Sequence, residues 1–253
     1  MDEWRYEPAR DLGLTPRDSF RSVRRERGLL SLAASLAWML ITRAWLRLYH
    51  RLEVRGREHL PAAPPFLVVA NHSSHLDAPA LAAALPLHLA LRAFPVAAGD
   101  TFFESRATAA FASLMMNALP IWRRNCGPHA LGELRQRLLG EPCVFILFPE
   151  GTRSRTGPMG PFKPGVGRLV CGAPTPVPVV PCHLDGAFAA LPPHARYPRP
   201  RKLTLRIGPP IVMDDLPDRR EGWERITHAA EAAVRALAPQ TSNVVPRPSS
   251  SSS

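Results

Sequence analysis

"FLVVANHSSHLD", residues 66–77, joins an unbroken apolar run to a polar segment holding two histidines, two serines and a carboxylate. A short apolar run closed at once by a polar turn reads as a strand buried on both faces. The residues that follow, 78–91, have helical spacing, so the stretch is a strand, turn and helix in succession. "CVFILFPEGTRSRTG", residues 143–157, repeats the change from apolar run to polar turn. Working outward, further strands are expected at 51–56, 95–99, 119–122, 177–184 and 202–208, and further helices at 101–117, 128–139, 165–172 and 217–237. Apolar strands interleaved with helices give an α/β fold: a mostly parallel sheet flanked by helices.

The 253 residues suffice for one such domain with a core of its own. We expect an N-terminal charged segment with membrane-interacting helices over residues 1–50, the α/β domain over 51–238, and a disordered tail over 239–253, where no core-forming pattern remains.

The formal net charge is +11, and of the 32 basic residues only Lys163 and Lys202 are lysines. A cationic surface draws anionic partners: nucleic acid, phosphate-bearing substrates, acidic carrier proteins or an anionic leaflet. The arginines are scattered and no nucleic-acid motif accompanies them, so no nucleic-acid partner is expected. Cys126, Cys143, Cys171 and Cys182 have no paired spacing and lie in or beside apolar runs, which reads as reduced and mostly buried thiols on the cytosolic side.

Residues 1–28 are charged and broken by prolines, unlike a signal peptide. The apolar stretch 29–42 ends at Arg43 after fourteen residues, short of the roughly 20 needed to cross a bilayer. "RAWLRLYHRL", residues 43–52, then puts Arg43, Arg47 and Arg51 on one helical face, opposite Trp45, Leu48, Tyr49 and Leu52. A basic amphipathic helix adjoining an apolar run is expected to lie in a membrane surface, at the cytoplasmic face, making the protein peripheral or monotopic.

Ligands of an open parallel sheet bind beyond the carboxyl ends of its strands, and both polar clusters follow strands directly. In the first, Ser74 and Asp77 fit a helix cap, which leaves His72 and His75 without a task. His72, His75 and Asp77 could ligate a metal and support a metal-assisted hydrolase, but no compact second ligand set appears and no metal or other cofactor is expected. A histidine oriented by Asp77 could instead act as a general base near neutral pH. In the second cluster Glu150, Thr152, Arg153 and Arg155 surround Gly151, and arginine forks beside exposed backbone N–H groups make an anion pocket. Residues 119–125 end in a similar way, at Arg123 and Arg124.

These segments resemble the glycerolipid acyltransferases, enzymes of the 1-acyl-glycerol-3-phosphate and lysophospholipid O-acyltransferase type. "NHSSHLD" resembles the family's H-x-x-x-x-D motif, "FPEGTRSRTG" with "FKPG" its F-P-E-G-T-R-S block, "NALPIWRR" its G-x-I-P-V-D-R block, and "VPVVPCHLDG" its last block, in the same order. The resemblance implies that His72 is the general base on an acceptor hydroxyl and Asp77 its orienting partner. It implies that Arg123, Glu150, Gly151, Thr152 and Arg153 hold the acceptor's phosphate and glycerol. The acyl donor would be acyl-CoA or acyl carrier protein, a co-substrate attacked directly, and the N-terminal helices would dock on the membrane. The expected acceptor is 1-acyl-glycerol-3-phosphate, with another lysolipid such as a lyso-ornithine lipid as the alternative. Two positions depart from the pattern: Asn117 stands in place of glycine, and Trp122 in place of a polar residue.

Overall fold

The computed structural model describes residues 9–26, 28–122 and 128–239. Arg123, Arg124 and Cys126, together with the expected tail from residue 240 onward, lie outside the described residues.

In chain order the elements are α1 (Pro16–Ser19), α2 (Leu29–Leu48), β1 (Glu53–Arg55), β2 (Phe66–Ala70), α3 (Asp77–Ala84), α4 (Leu87–Ala90), β3 (Ala93–Ala98), α5 (Gly99–Phe102) and α6 (Arg106–Leu114). There follow β4 (Leu119–Ile121), α7 (Pro128–Gly140), β5 (Val144–Leu147), α8 (Gly165–Val170), β6 (Val179–Asp185), α9 (Ala187–Ala190), β7 (Thr204–Ile207) and α10 (Arg220–Ala236). The strands form one sheet in the order β1-β7-β6-β2-β5-β3-β4. All pairings are parallel except β6 with β7, so the sheet is mostly parallel, as expected.

Each expected strand is present, with ends shifted by a residue or two. Two expected helices are each divided. Pro86 cannot continue α3 and disfavours helical backbone at Leu85, which is extended. Ser105 starts α6 afresh, its hydroxyl accepting from the Thr108 N–H.

β2 is buried at all five positions, and the pleat sends its side chains alternately into two cores. Phe66, Val68 and Ala70 join Val144, Ile146 and Leu81 on one face, where Leu46 of α2 also enters. Leu67 and Val69 join Phe145, Leu147, Leu134 and Val234 on the other, under α7 and α10. Burying both faces of the central strands makes their ends, where the backbone must turn, the places for polar residues. Cys143, Cys171 and Cys182 are free and buried, and burial pushes the Cys143 thiol up to about 12.

The N-terminal arm differs from expectation in one respect. The apolar run does not stop at Arg43: α2 continues through Arg43 and Arg47 to Leu48, a 20-residue helix long and apolar enough to cross a membrane. Arg43 is tolerated inside it because its guanidinium turns back to the Leu85 carbonyl at the end of α3. Arg51 and Leu52 lie beyond the helix, and Arg51 has left-handed backbone (φ 49°), so neither belongs to the amphipathic face. Length therefore does not exclude a span, but packing sets α2 against the domain: Leu46 is fully buried, Trp45 packs on the same core, and Trp38 meets Phe111 of α6 edge-on at 5.1 Å. Leu29, Leu30, Leu40 and Ile41 remain exposed.

Candidate active site

β2 ends at Ala70, and Asn71 locks that end to the neighbouring strand: its amide donates to the Leu184 carbonyl at 3.0 Å and accepts from the Leu184 N–H at 2.8 Å. The chain then turns tightly around a single carboxylate. Asp77, the first residue of α3 and fully buried, accepts through Oδ2 from the Ser73 N–H (2.7 Å) and the Ser74 N–H (2.8 Å), and meets His72 Nδ1 at 2.8 Å. A buried carboxylate is held in place only when such donors satisfy it, and here the same donors shape the turn that brings His72 to it. Asp77 Oδ1 has no hydrogen-bond partner among the described residues. Ser74 is not the helix cap that the sequence suggested: α3 begins only at Asp77, after Leu76, and the Ser74 hydroxyl accepts from the Leu76 N–H at 3.2 Å and donates to the Leu191 carbonyl at 2.9 Å.

The His72 ring stacks on Phe148 at 4.1 Å, with an interplanar angle of 18°, so Phe148 at the end of β5 completes its support. With Nδ1 committed to Asp77, Nε2 is the ring nitrogen left to receive a proton. His75 is not part of this pair. It meets Phe102 edge-on at 5.6 Å, and its pKa is lowered first by desolvation and then by the nearby Arg153 and His72. Among the described residues no three His, Cys, Asp or Glu side chains converge as a metal site would require, so the metal reading of His72, His75 and Asp77 has no geometric support.

Glu150, at the start of the loop after β5, is buried, and it is not among the residues that line the cleft. Its Oε1 accepts from the His72 N–H at 2.7 Å and its Oε2 from the Gly160 N–H at 2.8 Å, so it ties the two polar clusters together through their backbones. Burial raises its pKa, the two N–H bonds opposing that shift. The Ser154 N–H adds a bond to the His72 carbonyl at 2.8 Å. Gly151 has a φ of 73°, so the turn favours glycine, and a Cβ there would come within 2.8 Å of Lys163 Nζ and displace it.

His72 opens into a cleft of about 1040 Å³. Its lining combines apolar side chains, among them Trp38 and Ile41 of α2, Phe111 and Met116, with Thr152, Arg153, Lys163 and Arg168. Of the expected site residues, His72, Gly151, Thr152 and Arg153 line this cleft, Asp77 and Glu150 stand behind it, and Arg123 lies outside the described residues. Phe148, Lys163, Arg168 and Asn71 were not singled out from sequence. Phe148 and Lys163 stand within quoted blocks, whereas nothing in the pattern marks Arg168.

The α/β sheet and this site define a family. Residues 51–185 match the acyltransferase family model, and the chain belongs to that family. It is 31% identical over 169 residues to a mouse protein named 1-acyl-sn-glycerol-3-phosphate acyltransferase alpha (Mus musculus), covering 66% of this chain and 56% of that one. A human protein of the same name (Homo sapiens) is 35% identical over 133 residues, covering 51% and 45%. The chloroplastic 1-acyl-sn-glycerol-3-phosphate acyltransferase BAT2 of Brassica napus is 30% identical over 155 residues, covering 57% and 40%. The chain thus spans about half the length of the curated relatives it matches. Among solved structures, the 1-acyl-sn-glycerophosphate acyltransferase PlsC of Thermotoga maritima superposes with a TM-score of 0.59 at 23% identity, covering 81% of this chain and 77% of that one, a likeness of fold.

Proposed function

We propose that the protein is an O-acyltransferase that moves a fatty acyl chain from acyl-CoA or acyl carrier protein to the hydroxyl of a lysolipid, with 1-acyl-glycerol-3-phosphate as acceptor and phosphatidic acid as product. The observation that carries this reading is the His72–Asp77 pair at 2.8 Å, opening into a cleft lined by both apolar and cationic side chains. The apolar lining suits acyl chains and the cations suit a phosphate. The names of the relatives support the same acceptor class.

In this mechanism Asp77 holds the Nδ1–H, so Nε2 of His72 takes the proton of the acceptor hydroxyl as its oxygen attacks the thioester carbonyl. The tetrahedral intermediate collapses, the C–S bond breaks, and the thiolate takes the proton back from the imidazolium. Asp77 stabilises the transient cation without accepting its proton. No cofactor is required. The exposed apolar residues of α2, of which Ile41 also lines the cleft, would rest in the cytoplasmic membrane surface from which the lysolipid enters.

The test is purified protein with labelled acyl-CoA or acyl carrier protein and a panel of lysolipids. Phosphatidic acid formed from 1-acyl-glycerol-3-phosphate, and lost about 10²- to 10⁴-fold in His72→Ala, is the expected result. A His72→Ala variant as active as wild type would overturn the mechanism, and transfer to a lyso-ornithine lipid alone would overturn the acceptor.

A further inference from the structure

Three cations line the cleft, and they are not balanced. Among the described residues no Asp or Glu lines it, and neither Arg153, Lys163 nor Arg168 forms an ion pair. Arg153 and Lys163 belong to the segments that resemble the family; Arg168 does not.

Arg168 is nonetheless firmly placed. Its guanidinium carbon lies 5.0 Å from the centre of the Trp223 ring, on α10. Trp223 is fixed in turn, its Nε1–H donating to Asp218 Oδ1 at 2.8 Å. Asp218, the carboxylate of this cluster, is further occupied by Arg135, which donates to Oδ2 at 2.9 Å and also reaches the Arg168 carbonyl at 3.3 Å. Gly167 lets α8 press directly on α10: a Cβ there would come within 2.2 Å of Trp223 Cα. The contact with Trp223 holds the guanidinium while none of its N–H groups has a hydrogen-bond partner among the described residues, which leaves them for an anion such as a phosphate.

We propose that Arg168 is a binding residue for the acceptor's phosphomonoester, acting with Arg153 and Lys163 to make a dianionic head group the preferred one. This rests on the reading of the protein as a lysolipid acyltransferase and deepens it. A zwitterionic head group brings an ammonium into a cleft with three cations and no lining carboxylate, and so gains less from Arg168 than a phosphomonoester does.

The experiment measures KM and kcat with acyl-CoA as donor for 1-acyl-glycerol-3-phosphate and for a lysophosphatidylcholine of the same acyl chain, in the full chain. Arg168→Gln is expected to raise KM for the phosphomonoester about tenfold or more, the factor for roughly 1.4 kcal/mol. The KM for lysophosphatidylcholine should rise by a smaller factor, and the acyl-CoA KM should not change. Arg168→Lys, which keeps the charge and loses the fork, is expected to recover part of the affinity. Trp223→Leu, which removes the contact with the guanidinium together with the Nε1–H bond to Asp218, should raise the phosphomonoester KM about threefold. An unchanged phosphomonoester KM in Arg168→Gln, or a rise in the acyl-CoA KM instead, overturns the proposal while leaving the transferase reading intact. A wild-type protein that acylates no phosphomonoester lysolipid overturns both.

Discussion

Asn117, which departs from the family pattern, has a φ of 53°, a left-handed conformation that glycine adopts freely and asparagine tolerates better than most residues. Its side chain adds what glycine could not: Nδ2 donates to the Ala93 carbonyl at 2.9 Å and Oδ1 accepts from Arg25 at 3.1 Å. Asn117→Ala, which keeps the strain and loses both bonds, should destabilise the protein by about 2 to 3 kcal/mol in denaturant unfolding, and Asn117→Gly by less. Trp122, the other departure, lies over Gly99, where a Cβ would come within 2.6 Å of its ring. At Asp77 the free Oδ1 permits a clean substitution. Asp77→Asn can keep its carbonyl oxygen at the Oδ2 position and place the amide at Oδ1, so it should fold, yet lose kcat about 10²- to 10⁴-fold with little change in KM. Glu150 gives a pH-dependent prediction. Its pKa is raised in the folded state, so its contribution to stability is fully present below the ordinary carboxyl value near 4.3 and is lost as pH rises through the folded value. The melting-temperature advantage of wild type over Glu150→Gln should therefore shrink as the pH is raised from about 4. That Asp77 orients a histidine was legible in the sequence, and the resemblance to the H-x-x-x-x-D motif pointed to His72, which the structure pairs with it. The position of Glu150 was not legible, because a carboxylate's choice between substrate and backbone N–H groups depends on Gly160, ten residues away in a separate turn.

Strands were easier to read than helices here. β2 and β5 are apolar at every position, and that signal survives small errors at their ends. α3 and α4, or α5 and α6, continue one apolar pattern across a break that only Pro86 or the Ser105 cap records. Arg43 misled in the opposite direction: a charge in the sequence looks like the end of an apolar helix, whereas its carbonyl partner at Leu85 comes from an element 42 residues away. The exposed start of α2 makes a prediction of its own. Leu29 and Leu30 are 87% and 84% exposed and do not line the cleft, so replacing both with Glu should weaken binding to anionic vesicles on the order of 100-fold. Turnover of a monomeric, short-chain lysolipid should survive the change. Equal sedimentation of the variant and wild type with vesicles would remove α2 as the membrane contact.

The whole molecule depends on parts outside the matched segment. Residues 9–26 are strapped to the body: Arg25, buried, donates to the Ala118 carbonyl, and Arg137 donates to the carbonyls of Val23 and Arg25. At the other end α10 grips the loop that carries Lys163, with Glu231 accepting from the Phe162 N–H at 2.9 Å and Arg235 reaching the carbonyls of Met159 and Gly160. Neither role was readable beforehand, since charged residues on a strap or helix look like a solvated surface until their backbone partners are known. Removing both side chains, in Glu231→Ala with Arg235→Ala, should raise the acceptor KM several-fold more than it lowers kcat, the sign of a loosened binding loop.

The reversal at β7 also orders events in time. β1, among the first elements made, has its described sheet partner in β7, nearly the last, and β6 keeps an open edge until β7 folds back antiparallel to it. At ordinary rates of synthesis that interval is on the order of ten seconds. During it α2, complete and apolar, precedes a domain whose sheet has two raw edges prone to mispairing. A nascent chain that rested α2 on a membrane while it waited would keep those edges apart from other chains, and under the proposed function the surface that delivers the lysolipid would also shelter the fold as it closes.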